Sequence, residues 1–323
     1  MLSTSELDSF ENLHTNLLET VFKHGKKMAP QDLSIALLYI SMIDKSRSIE
    51  ILLHENILDS IKIIQRSMLE QYVYLLFILQ KDTARRGRAY FYGNKISGIK
   101  YWNNLKKDYS DRKLIEKISI DLKKEISNGP IANNYEEYCK YFKNKYNSLF
   151  DDDVKDKRQW FNIYGNAKYI SELFKKMGML DEYRFIYAAN SESTHGTNLP
   201  EDLRTDKKGF GVIQKVNDMN MDSFIIGYLF QGIHKIADYY KYEKSEDNQM
   251  YFNDMNMVVQ KYWNRKYHVN LEIKNWLSIW LHFSITIIWF SNQSSIENKK
   301  KISSLIDIFW YYLTPLTFKV YFL

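Results

Sequence analysis

The chain has 323 residues and a formal net charge of +6, long enough for one or two domains around a large core. Four prolines and twelve glycines are too few turn signals for a fold of many short strands. The single cysteine, Cys139, excludes an internal disulfide and a cysteine-based zinc site, while the mild positive balance permits contact with a polyanion without requiring one.

The N-terminus has neither a basic leader nor an apolar run, so it is not a secretory signal and a cytoplasmic location is expected. The apolar positions Leu7, Phe10, Leu13, Leu17, Leu18 and Val21 keep helical spacing over residues 5–26. Pro30 opens a second helix whose stripe is Leu33, Leu37, Leu38, Ile40 and Ile43. After the polar break at residues 54–56 comes the most apolar helix of the chain, residues 57–80, interrupted by Arg66 and Glu70. These two lie four apart, share a face and can pair. Charges among Ile, Leu, Val and Tyr are buried only when paired or used. A structural ion pair pinning helix packing and a site in which Glu70 orients Arg66 toward an anion both account for them.

Asp82 and Thr83 can cap a further helix, whose first turn carries Arg85, Arg86 and Arg88. Positive charge there opposes the helix dipole and suits an anionic partner, or simply a solvated face. Residues 111–127 and 136–150 carry helical patterns on either side of the Asn128-Gly129-Pro130 break, and Cys139 falls on an aromatic face of the second as a core thiol. The run Asp151-Asp152-Asp153 is expected to be an acidic turn rather than a metal site, having no His or second carboxylate cluster beside it in sequence. Two short helices, 167–177 and 181–190, flank Gly178, and a turn-rich loop is expected over 191–211.

That loop contains the second polar cluster. His195, followed by Gly196, can approach a ligand closely and titrates near neutrality. It can equally hydrogen-bond a helix end. Tyr187, Asn190 and Ser191 precede it and can share its pocket. The remaining histidines show no metal-ligand spacing, and no phosphate-binding glycine loop is present, so neither a metal nor an organic cofactor is expected. Helical periodicity continues through 219–242, 251–267, 272–290 and 299–312. Residues 276–290 carry no formal charge but are too few to span a bilayer, and no stable membrane insertion is expected. The apolar tail is expected to pack on the body, on a protein partner or on a second copy of the chain. The predicted architecture is all-α, a multi-helix bundle of about ten helices with no sheet of consequence. Residues 1–245 are expected to form the core domain carrying the polar site, and 246–323 a C-terminal helical subdomain packed on it.

Residues 51–79, the Arg85/Arg86/Arg88 segment, and residues 160–196 together resemble the bacterial domain-of-unknown-function family numbered 5677. The motifs carrying the resemblance are Arg-Ser-x-x-Glu at Arg66, Ser67 and Glu70, the Arg-rich helix start, and a tyrosine helix (Tyr183, Tyr187) leading to Ser-x-x-x-His-Gly at Ser191, His195 and Gly196. The resemblance implies a helical domain and leaves the activity open. Such proteins are similar in style to HEPN-type helical ribonucleases and to abortive-infection proteins of phage defence. The HEPN spacing of Arg and His within one element is absent here, so such a site would be assembled from Arg66 and His195 across two elements.

Two functions are expected on this basis. The first is a defence- or stress-related protein acting on RNA by metal-independent phosphoryl transfer, with His195, Arg66 and Glu70 as catalytic residues and Arg85, Arg86 and Arg88 on backbone phosphates. The second is a non-catalytic helical sensor or adaptor that takes an anionic ligand or a partner protein in the same pocket.

Overall fold

The computed structural model describes residues 4–23, 26–55, 57–108, 134–188, 190, 203–205, 211–213, 221–242 and five positions between 253 and 260. The chain divides into two compact units, Met1–Asn256 and Met257–Leu323. The helices of the first unit are α1 (Thr4–Val21), α2 (Pro30–His54), α3 (Leu58–Gln80), α4 (Thr83–Asp108), α5 (Tyr135–Asn147), α6 (Ile170–Lys176), the single turn α7 (Leu180–Glu182) and α8 (Met221–Tyr240). A 3-10 turn (Trp160–Asn162) precedes α6, and a π-helix (Tyr183–Ala188) continues α7. The fold class is all-α.

Helix α2 is the hub, packing against α1, α3, α4 and α8. Pro30 at its first turn loses no hydrogen bond that a helix start would use. The Asp32 carboxylate accepts the Ala29 N–H at 2.9 Å and, from the far end of the bundle's sequence, the Tyr240 hydroxyl at 2.7 Å. Leu7, Phe10, Leu13 and Leu17 of α1 are all buried, as their spacing requires. Tyr39 and Tyr72 are buried phenols whose protons go to the Leu229 carbonyl at 2.9 Å and to Gln231 Oε1 at 2.7 Å. Each phenol therefore ties α2 or α3 to α8 with its own hydroxyl satisfied.

Helices α2 and α4 approach closely where Gly87 faces Gln31. A Cβ on Gly87 would stand 2.6 Å from Gln31 Cβ, and the buried Ser34 hydroxyl donates to the Gly87 carbonyl at 2.8 Å. At the start of α4, Asp82 takes a positive φ of 48°, and its carboxylate accepts the Tyr164 hydroxyl at 2.7 Å rather than capping the helix.

Within the segment expected as a loop over 191–211, the structure differs. Leu203–Thr205 pairs antiparallel with Gly211–Ile213. The β-branched Thr205, Val212 and Ile213 favour that extended backbone. This three-residue ribbon is the sheet content of the described residues. The expected helices over 111–127, 272–290 and 299–312, and the apolar tail, lie outside the described residues. No helix among the described residues is long and apolar enough to cross a membrane.

Candidate functional site

Helix α3 presents Arg66 and Glu70 on one face, and the π-helix is the element that meets this face. Gly178, at φ 73°, ends α6, the chain restarts at Leu180, and the backbone then widens to the π register. Such turns are uncommon and concentrate where function demands a special side-chain placement. Here Tyr183 and Tyr187 stack, with centroids 5.4 Å apart and planes at 19°. Tyr187 also packs on Phe174 of α6 at 5.5 Å.

The expected direct pairing of Arg66 with Glu70 is replaced by a bridge. Among the described residues the two form no ion pair. Arg66 Nη2 donates to the Tyr187 hydroxyl at 3.0 Å, and that hydroxyl donates to Glu70 Oε2 at 3.0 Å. The physical reason is the phenol itself, which inserts between the charges and serves as acceptor to one and donor to the other. The guanidinium also lies over the Tyr187 ring, 4.4 Å from its centroid, the cation–π geometry. Arg66 Nε has no hydrogen-bond partner among the described residues.

The other carboxylate oxygen, Glu70 Oε1, accepts the Tyr74 hydroxyl at 2.6 Å. Tyr74 is in turn held by edge contact with Trp160 at 5.1 Å. Burial, then the charge of Glu70, pushes the Tyr74 phenol far above its ordinary range. Burial likewise raises Tyr187, with Arg66 pulling the other way. Both phenols therefore keep their protons at neutral pH and give them to the carboxylate. Asn190 Nδ2 donates to Gln65 Oε1 at 2.8 Å, so the chain leaves the π-helix tied to α3 one position before Arg66.

A cleft of about 440 Å³ opens beside this network. Glu70, Tyr74, Tyr183 and Tyr187 line it together with Phe161 and Gln159. Its lining mixes aromatic rings with a carboxylate, an amide and several hydroxyls, and more of its surface is polar than apolar. Of the residues expected from sequence, the structure brings Arg66, Glu70 and Tyr187 together, while Asn190 bonds the neighbouring Gln65 and is not in the cleft lining. Ser191 and His195 lie outside the described residues.

The three arginines of α4 do not form one phosphate-facing cluster. Arg85 donates to the Leu149 carbonyl and to Asp151 Oδ1, both at 2.7 Å, which also gives the acidic turn a structural role. Arg86 is fully buried. Its Nη1 donates to the Phe77 carbonyl and to Gln80 Oε1 at the end of α3, and its guanidinium lies 3.9 Å from the Phe77 centroid. The expected contact of Arg86 with a nucleic-acid backbone is thus overturned, because the helix turns this residue into the interior where it caps α3. Arg88 is exposed and bonds Gln31 at 3.2 Å.

Sequence reasoning passed over Tyr74, Phe161 and Gln159. Tyr74 carried a readable signal, a phenol four residues after Glu70 on the same helix face. Phe161 and Gln159 reach the cleft only through the tertiary path of the 3-10 segment.

The chain matches the family of unknown function DUF5677 over residues 32–210, more than half its length, and it belongs to that family. The matched span contains both halves of the site, the Arg66/Glu70 helix and the tyrosine π-helix. Nothing among curated proteins or among solved structures matches the chain.

Proposed function

We propose that this cleft acts on RNA by metal-independent phosphoryl transfer, in a defence or stress response. One observation carries the reading: the Tyr187 hydroxyl joins Arg66 to Glu70, so two segments 117 residues apart form one charged, hydrogen-bonded wall of a ligand-sized cleft. The guanidinium, held by a ring and a phenol, stands behind the Tyr187 wall of the cleft and supplies positive charge toward a phosphoryl group bound in it.

In the reaction so supported, the ribose 2′-hydroxyl attacks phosphorus and the bond to the 5′-oxygen breaks, leaving a 2′,3′-cyclic phosphate. Arg66 stabilises the charge gathering on the phosphoryl oxygens. Glu70, acting through Tyr187, positions Arg66. His195 handles one of the two protons, taking it from the attacking 2′-hydroxyl or giving it to the leaving 5′-oxygen, and water exchanges the other.

Purified protein incubated with total RNA and with tRNA in EDTA should cut both, and His195→Ala should not. Equal RNA integrity with the two proteins rejects the catalytic reading. If Arg66→Ala then still loses an RNA ligand that the wild type retains uncut, the cleft is the binding site of a non-catalytic sensor.

A further inference from the structure

We infer that the cleft holds a guanine base, with its Watson–Crick edge on Glu70 and its face on the tyrosines. This rests on the reading of the cleft as an RNA site and names the nucleotide it selects. A carboxylate carries about four acceptor positions. Glu70 receives one phenol proton on each oxygen, from Tyr74 and from Tyr187. The two bonds fix the carboxylate's plane and leave each oxygen able to accept once more, and Glu70 lines the cleft.

A rigid acceptor pair selects a ligand with two adjacent donors. Guanine offers them as N1–H and the N2 amine, side by side. Adenine and cytosine each present one amine next to a ring nitrogen whose lone pair a carboxylate repels. Uracil presents one N–H between two carbonyls. Single-stranded RNA is read in this manner, by its Watson–Crick edge and by stacking on aromatic rings.

The stack of Tyr183 on Tyr187 and the lining ring of Phe161 supply aromatic surface for a purine. An ammonium ligand, which a tyrosine-lined cleft with a carboxylate also suits, is disfavoured because Arg66 already lies over the Tyr187 ring and would repel it.

The test is equilibrium binding of the 5′-monophosphates of guanosine, inosine, adenosine, cytidine and uridine to the full chain, measured by titration calorimetry. Guanosine monophosphate should bind about tenfold or more tightly than the adenosine, cytidine and uridine forms, with inosine, which lacks the second donor, in between. Glu70→Gln should reduce that preference to within about twofold. Tyr183→Leu, which leaves the carboxylate in place, should weaken all five by about tenfold while keeping their order. Equal binding of the five, no binding of any, or a guanosine preference that survives Glu70→Gln overturns the inference. RNA cut without any bias toward guanine, together with equal nucleotide binding, rejects the inference and leaves the proposed activity standing. A guanosine preference on a protein that leaves RNA intact does the reverse.

Discussion

Arg66 and Arg86 each place a guanidinium over an aromatic ring, 4.4 Å from the Tyr187 centroid and 3.9 Å from that of Phe77. Arg86 is fully buried and gives its hydrogen bonds to the carbonyl of Phe77 and the side chain of Gln80, where α3 ends. Arg66 is half-buried, and it bonds a phenol that also serves Glu70 beside an open cleft. The same residue type on the same kind of surface is thus enclosed in the interior at one corner and stands behind the wall of a cleft at the other. Burial separates them: Arg86 also lies 5.4 Å from the Tyr164 ring, whose hydroxyl passes to the Asp82 carboxylate, but it is sealed in the interior, whereas the Arg66 network borders a cleft.

The comparison can be broken most readily at the buried corner. Arg86→Ala should lower the unfolding free energy by about 4 kcal/mol, through the cavity and the uncapped α3 carbonyls. A loss below about 1 kcal/mol in urea denaturation would show the corner is not structural.

Acid weakens the scaffold behind both corners by a separate route. His14 of α1 is buried against Tyr39, and burial lowers its pKa to about 4. The folded chain therefore binds fewer protons there than the unfolded one. Its contribution, up to about 3 kcal/mol, is complete above pH 6.5 and is lost as pH falls toward 4. His14→Gln should flatten stability across that window, as measured by denaturation at a series of pH values.

Next to Arg86, Gly87→Ala forces a methyl into Gln31 and should cost about 2 kcal/mol. An unchanged melting curve would mean that the α2–α4 contact yields easily.

At the open corner the effects on stability shrink and those on function grow. Tyr187→Phe keeps the ring and removes the bridge, for a loss of about 1 kcal/mol and a large drop in RNA cleavage. Arg66→Ala should change stability by less than about 1 kcal/mol while abolishing cleavage or ligand capture. If Arg66→Ala proves as destabilising as Arg86→Ala, the contrast fails and both arginines are structural.

Much of the scaffold was legible. Pro30, the 3.6-residue stripe of α1, the apolar run of α3, and the four-residue spacing of Arg66 and Glu70 are local signals, and they correspond to α1, α2, α3 and one face of the site. The fate of the α4 arginines was not legible. Residues 85, 86 and 88 point in different directions around one helix, and what each meets depends on chain segments elsewhere in the sequence, Leu149 and Asp151 for Arg85 and the end of α3 for Arg86. The bridge was half legible. Tyr187 stood out as a pocket residue, but its place between two charges depends on how the π-helix docks on α3, which no single-segment pattern encodes.

The wide turn at Tyr183–Ala188 makes the site sensitive to residue number as well as residue type. Excising one position there would let the backbone relax to ordinary α geometry and swing each following side chain by about 100°. The phenol would then leave its two charged neighbours even though no residue of the network had been replaced. Family members that share every motif residue yet differ by a single-residue gap in this turn would have lost the assembled site.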